Sequence, residues 1–364
     1  MNTDGKTIER KTWRRLLKNK GAACGLFIII LSVLTAIFCY FIAPDSSPNA
    51  NRIILEIRKQ KPGFKKTFVT LPKENRPVSR GFFHHLLFGK QDAVEYIPVN
   101  SYELKGRDSV TIKKFIDDGV EEEITLPTHC PPFAFSKIRV KEKTFILGTD
   151  KFGRDVLSRI IIGTRVSLSV GIIAVIISLS IGVILGSLAG YFRGRTDNIV
   201  MWFVNVVWSI PTLLLVFAIT FALGKGFWQV FIAVGLTMWV NVARLVRGQV
   251  LAVRELEYIE ATRALGFSHF RTIFRHILPN IVGPILVIAA SNFASAIVVE
   301  AGLSFLGAGV QPPQPSWGLM IKENYSFIIT QNPVLALAPG IAIMLLVLAF
   351  NLLGNGLRDA MDVR

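Results

Sequence analysis

The chain has 364 residues, 51% of them hydrophobic and 18% charged, with a mean hydropathy of +0.47. Soluble domains carry about 25% charged residues. This composition therefore belongs to a membrane protein and excludes a disordered chain, a disulfide-stapled secreted domain and an ordinary soluble enzyme. The net charge of +16 fits nucleic acid, anionic lipid or topology signals until the charges are placed along the chain.

An apolar helix needs about 20 residues to cross a bilayer. Six stretches meet that length: Gly21–Ala43, Ser167–Gly190, Asn198–Leu223, Phe227–Val246, Ile281–Leu303 and Pro333–Gly354. Arg14, Arg15, Lys18 and Lys20 precede the first. Its apolar run of about 23 residues is too long for the h-region of a cleaved signal. Lys and Arg in short loops set orientation. Segment 1–20, loops 191–197 and 244–280, and the tail hold seventeen of them, against Lys225 and Lys322 in the opposite short loops. Both termini are thus expected in the cytoplasm. The long segment 44–166 is expected outside; it carries 22 basic and 15 acidic residues, and long loops translocate regardless of charge. Placed this way, the charges argue against nucleic acid.

Cys24 and Cys39 are 15 residues apart. That is about 22 Å along a helix, too far for a disulfide. With Cys130 and no CxxC pair, the sequence offers neither a zinc nor a redox motif.

Segment 44–146 reads as a small β-rich or α+β insert. Phe68-Val69-Thr70-Leu71 and Glu122-Glu123-Ile124-Thr125-Leu126 are strand-like, and Pro62, Pro72, Pro77, Pro98, Pro127, Pro131 and Pro132 punctuate it. His84-His85 and His129-Cys130 are adjacent pairs. Neighbours on a strand point to opposite faces, so neither pair reads as a metal site.

Within the spans, Gly182, Gly186 and Gly190 place small residues on one helix face, a close-packing signal. Pro211, Pro284 and Pro339 are expected to interrupt their spans. Glu300 stands near the outer end of the fifth span. Intramembrane carboxylates are functional candidates, so it reads as either a pathway or a structural group. Gly148 to Asp155 has two glycines at phosphate-loop spacing but lacks the Lys-Ser/Thr pair. Asp155 instead suits the cap of a helix starting at Val156.

The longest cytoplasmic loop, 254–280, predicts two short helices. Residues 255–265 favour the first, Gly266 stops it, Ser268 caps the second and Pro279 ends it. Ala261 and Ala264 allow close approach of a partner, and Leu265, Phe267, Phe270 and Phe274 offer an apolar anchor. An amphipathic loop lying on headgroups is the plainer alternative.

Glu260-Ala261-Thr262, Gly266 and His276-Ile277-Leu278-Pro279 resemble the EAA loop of ABC importer membrane subunits, EAA-x3-G-x9-I-x-LP. Thr262 replaces the second Ala and His276 the Ile. The second departure resembles the oligopeptide/dipeptide branch. Leu147-Gly148-Thr149-Asp150 with Gly153 to Arg159, and Glu300 to Gly307 with Gln311-Pro312-Pro313 and Pro315-Ser316-Trp317-Gly318, resemble that branch too. The resemblance covers 1–43 and about 145–364, and leaves the long insert unexplained.

The resemblance implies an all-α polytopic membrane protein with six transmembrane helices of the type I ABC importer permease kind. Its divisions are 1–43, the insert 44–146, and the permease core 147–364 with the coupling loop. It implies a bacterial inner membrane location, a homologous B-type permease, two ABC ATPase subunits and an extracytoplasmic substrate-binding protein. Glu260, Ala261, Thr262 and Gly266 would meet the ATPase. No catalytic or metal residues are expected, and ATP and Mg2+ would be held by the ATPase subunits. Cargo would be di- or oligopeptides; nickel chelates or other small solutes are the alternative. A membrane-anchored enzyme with its site in 44–166 and a receptor or scaffold acting through the insert are competing classes; the first predicts a catalytic constellation that the segment does not show, and the second leaves the loop without a purpose.

Overall fold

The computed structural model describes residues 13–73, 81–105, 109–117, 119–127, 139–224, 226–328 and 332–361. His129 and Cys130 lie outside them. The chain divides into two compact units. One holds 1–33, 167–311 and 342–364; the other holds 34–166 and 312–341.

The helices in chain order are α1 (Lys20–Ile37), α2 (Cys39–Ile42), α3 (Phe82–Phe88), α4 (Val156–Phe192), α5 (Gly194–Trp208), α6 (Thr212–Leu223), α7 (Phe227–Arg254), α8 (Glu257–Ala264), α9 (His269–Leu306), α10 (Trp317–Asn324) and α11 (Val334–Met361). Five of them, α1, α4, α7, α9 and α11, are long and apolar enough to cross a bilayer. Helices are the open-chain solution there, because each backbone donor finds its acceptor within the segment.

The expected third span, Asn198–Leu223, is not one helix. It is α5 and α6, meeting at 92°. Pro211 lacks an N–H and disfavours helical geometry at Ile210, so the helix stops there and restarts at Thr212. Helices of 15 and 12 residues reach only about 22 and 18 Å, so neither crosses the roughly 30 Å hydrocarbon core alone. Pro284 does not break its span either. It stands in the first turn of the regular segment Val282–Leu306, where a missing N–H costs little. Pro339 lies inside α11.

The first unit is held by close backbone approach. A Cβ on Gly182 would lie 2.5 Å from Val242 Cβ; on Gly186, 2.9 Å from Val246 Cβ; on Gly190, 2.8 Å from Val250 Cβ. Three glycines of α4 thus receive three valines of α7, spaced one turn apart on each helix. Gly25 of α1 meets the Ala349 carbonyl of α11 in the same way, 2.5 Å from a Cβ position. Asn292 of α9 adds a polar tie, its Nδ2 donating to Ser178 Oγ at 3.4 Å and to Met238 O at 3.5 Å.

The second unit contains a five-stranded antiparallel sheet in the order β4-β3-β2-β1-β5. Its strands are β1 (Phe64–Pro72), β2 (Val94–Lys105), β3 (Ser109–Asp117), β4 (Val120–Pro127) and β5 (Arg139–Phe145). Both strand-like patches read from the sequence lie in it. Alternation along the strands makes one face of Phe68, Phe115 and Phe145, packed on Ile54 and Ile57, and the other of Val69, Leu71, Val99 and Ile112. His84 and His85 lie on helix α3 rather than a strand, ringed by Phe88 and Phe41 respectively.

Residues 148–155 form a polar knot. Asp150 Oδ1 accepts the N–H groups of Phe152 (2.9 Å) and Arg154 (3.0 Å), and its Oδ2 accepts Arg154 Nε (2.7 Å). Arg154 also reaches Glu323 of α10 at 2.8 Å. Gly153 has φ +73° and its hydrogen faces the Ile54 carbonyl so closely that no side chain fits. The two glycines therefore serve packing. Asp155 does cap α4: its Oδ2 accepts Ser158 N–H at 2.9 Å and the Ser158 hydroxyl.

Beside the knot lies a cavity of about 160 Å3 lined by Asp45, Arg52, Lys143 and Asp155 among others. Arg52 bridges Asp92 (2.6 Å) and Asp45 (3.1 Å). Burial, with the Arg52 charge, lowers the Lys143 pKa from 10.5 to about 8. Burial also pushes the Asp155 carboxyl up.

Two outcomes follow. Gly186→Leu should destabilise the detergent-solubilised chain by about 1–3 kcal/mol through overpacking, while Gly248→Ala, with nothing near its Cβ position, should not; thermal unfolding of both variants reads the difference. Lys143 is charged at a cost below pH 8, so that cost should fade between pH 8 and 10.5. Lys143→Met should flatten this rise in stability; an unchanged pH profile would contradict the assignment.

Candidate functional site

The loop between α7 and α9 is built from α8 and one tight turn. Along α8, Ile259 and Thr262 are buried, one turn apart. Ile259 joins a core with Tyr191 of α4, Val246 and Val250 of α7, and Ile273 and Ile277 of α9. The opposite stripe, Glu257, Glu260, Ala261 and Ala264, is exposed. These positions are i, i+3, i+4 and i+7, a single helix face. Two carboxylates in the first turn also suit the positive end of the helix.

The turn after α8 is a Schellman motif. Phe267 N–H bonds Thr262 O at 3.0 Å and Gly266 N–H bonds Arg263 O at 2.9 Å. Gly266 has φ +73° and open space where a Cβ would be, so glycine is needed for conformation alone. Ser268 Oγ then accepts Arg271 N–H at 3.4 Å, the cap read from the sequence.

Two expectations about this loop change. Pro279 does not end a helix: Thr272–Ile277 widens into a π-helix and Leu278–Ile281 tightens into a 3-10 helix, so the rod His269–Leu306 continues through it. The wider turns accommodate the missing N–H and the ring. The apolar group Leu265, Phe270 and Phe274 stays on the surface; Leu265 is 72% and Phe270 70% exposed. Thr262 faces inward. Its hydroxyl donates to Ile259 O at 2.7 Å and lies 3.5 Å from Thr272 Oγ1. Of the four residues singled out for a partner surface, Glu260 and Ala261 are exposed, Gly266 shapes the turn and Thr262 is buried behind them.

Residues that the sequence did not single out fix the loop to the membrane helices. The Tyr191 hydroxyl lies 3.0 Å from His269 Nδ1, and the Arg263 guanidinium sits 5.2 Å from the Tyr191 ring centre. Arg193 pairs with Glu255, and Arg247 Nη2 donates to Asp197 Oδ2 at 2.6 Å. The sequence signal was a tyrosine and a basic residue closing an otherwise apolar span.

Glu300 is fully buried on α9 and lies in a different part of the unit. Ser304 Oγ donates to its carboxylate at 2.6 Å and accepts Val310 N–H at 3.0 Å. The carboxylate thereby orders the chain reversal at Gly307, which has φ +90°. Among the described residues no His/Cys/Asp/Glu group is arranged to hold a metal ion.

Gly266→Ala should cost about 1–2 kcal/mol, the penalty for a left-handed non-glycine residue. Amide exchange over 257–267 should quicken accordingly in the full chain, while exchange in the α4–α7 core stays unchanged.

Two family models match this sequence. Binding-protein-dependent transport system inner membrane component matches residues 182–364, and the N-terminal TM domain of oligopeptide transport permease C matches 10–62. The glutathione transport system permease protein GsiD of Pectobacterium atrosepticum is 45% identical over 216 residues, 59% of this chain and 71% of the relative. The oligopeptide transport system permease protein OppC of Bacillus subtilis is 42% identical over 215 residues, 59% of this chain and 70% of the relative. The di/tripeptide transport system permease protein DppC of Pseudomonas aeruginosa is 43% identical over 218 residues, 60% of this chain and 72% of the relative. A chain of the inward-facing MetNI methionine ABC transporter aligns with a TM-score of 0.47 at 19% identity, covering 56% of this chain and 97% of that one. Residues 63–181, which include the sheet, lie outside both matched family ranges.

Proposed function

The chain belongs to the family of binding-protein-dependent transport system inner membrane components, and on that premise we propose that it forms one membrane half of an ATP-driven importer of di- or oligopeptides. The observation that carries the coupling role is the exposed stripe Glu257, Glu260, Ala261 and Ala264 on a helix whose other face is locked into the membrane unit. A small-residue patch flanked by carboxylates admits a close protein contact and aligns it by charge. The plainer alternative, a loop resting on headgroups, is disfavoured because anionic lipid would repel these glutamates.

In this reading a homologous permease supplies the other half, two ABC ATPase subunits bind at α8, and a separate binding protein delivers cargo. ATP and Mg2+ belong to the ATPase subunits. ATP-driven closure of the ATPase pair displaces α8. The displacement passes to α4 through Arg263 on the Tyr191 ring, and to α9 through the Thr262–Thr272 contact. ATP thereby biases one of two packed arrangements of the helices. The relatives' cargoes, peptides and glutathione, share a peptide backbone, which supports peptides over nickel chelates or other small solutes.

The excess of basic residues in one set of short loops supports cytoplasmic termini and a sheet-bearing insert outside. This arrangement requires α5 and α6 together to complete one crossing. The insert's excess of basic residues suits an acidic docking surface on the binding protein.

Co-expression with candidate ATPase and permease partners tests the proposal. Wild type should retain the ATPase subunits through purification in lipid. Changing Glu260→Ala and Gly266→Ala together should lower peptide uptake by about tenfold or more, within the usual span of coupling between sites. Failure of any ATPase to associate with the wild-type chain would contradict the importer reading, and uptake of a non-peptide solute alone would redirect the cargo assignment.

A further inference from the structure

We propose that α3, the seven-residue helix of the insert, is an interfacial anchor that rests in the lipid bilayer beside the end of the first span. Its sequence, Gly81-Phe82-Phe83-His84-His85-Leu86-Leu87-Phe88-Gly89, contains no Asp, Glu, Lys or Arg. Phe82, Phe83, Leu87 and Phe88 are all exposed, Phe83 by 76%. At 100° per residue, Phe82, Leu86, Phe83 and Leu87 share an arc of about 140°. A water-facing domain does not present such a contiguous apolar surface without something to cover it.

The position of α3 identifies the cover. The Phe82 ring stacks on Phe41 of α2, with centroids 5.3 Å apart, and His85 lies 4.6 Å from the same ring. Gly89 presses on the Tyr40 ring, where a Cβ would come within 2.8 Å. Phe41 and Ile42 are themselves exposed. They end the apolar run that begins after Lys20, some 22 residues earlier, which measures about 33 Å along a helix. That length matches the hydrocarbon thickness, so Phe41 stands where acyl chains give way to headgroups. A helix stacked edge to edge on Phe41 occupies the same depth, and the lipid that covers Phe41 continues over Phe82 and Phe83. Phe and Leu form the buried face of helices that lie at this boundary.

The polar groups of α3 agree. The free carbonyls of its last turn are met within the protein: Arg165 Nη1 donates to Leu87 O at 2.9 Å and to Leu86 O at 3.3 Å. Gly89 N–H bonds His85 O at 3.0 Å. The helix end is thus prepared for a site with little water, with a guanidinium at headgroup level. The proposal requires that the first span crosses a bilayer and is independent of the importer reading.

The test uses the full chain in phosphatidylcholine nanodiscs. A nitroxide is attached at Phe83→Cys in a background carrying Cys24→Ala, Cys39→Ala and Cys130→Ala. Collision with oxygen and with a water-soluble nickel chelate is then measured. Ile42→Cys serves as the membrane reference and Val120→Cys, exposed on β4, as the water reference. Position 83 should favour oxygen over nickel several-fold, as position 42 does, and opposite to position 120. Nickel access equal to position 120 would overturn the proposal. So would shielding from both reagents, which would mean that a protein partner covers the helix. If the cysteine-free background fails to fold, Phe83→Trp in the otherwise unchanged chain replaces it. Its added fluorescence should be quenched by lipids brominated near the headgroup, and absence of that quenching would be equally decisive.

Discussion

Lipid removes the usual reason for helices to associate, since acyl chains are as apolar as leucine, and the membrane unit therefore rests on how closely backbones can approach. Gly182, Gly186 and Gly190 settle that distance for α4 and α7 by receiving Val242, Val246 and Val250. The same contact positions Tyr191, one residue beyond the last glycine, against His269 and Arg263. The loop 254–280 is thereby placed by membrane packing. Its own turn and caps then decide which side of α8 faces away.

The loop divides its tasks between two faces of one short helix. Ile259 and Thr262 hold it in place, and Glu260 and Ala261 stay exposed. A threonine at the inward position is physically consistent. Its methyl group packs, and its hydroxyl satisfies itself on Ile259 O, so the substitution for alanine adds contact without stranding a polar atom.

The sequence made legible whatever depends on local chemistry. The long apolar spans, the Asp155 cap, the left-handed Gly266 and the Ser268 cap each follow from one residue type meeting one backbone need. Features decided by tertiary context were less legible. Pro211 and Pro279 look alike in sequence, yet one turns the chain by 92° and the other is absorbed into a continuous helix. The difference lies in the neighbours: π turns packed around Ile273 and Ile277 accommodate Pro279, whereas the residues before Pro211 expose Trp208 and Ile210. His84-His85 looked like strand residues, and their helical setting goes with a helix that ends at Gly89, packed on Ser46 and Tyr40 far away in sequence. Likewise, the inward turn of Thr262 is set by Thr272 and the α4 core.

The uninterrupted passage of α9 through Pro279 has a mechanical consequence. A rod of 38 residues is about 57 Å long, nearly twice the thickness of the hydrocarbon core. Its first residues touch α8 and its last turns carry Glu300 and the reversal at Gly307. Moved as one body, an element of that length acts as a lever: a tilt of about 5° about one end carries the other by about 5 Å. Had Pro279 cut the rod, as a proline in mid-helix usually does, the joint would have absorbed the tilt and the far end would have stayed still. With the rod whole, a small angular push on one side of the bilayer becomes a displacement of near atomic-diameter multiples on the other.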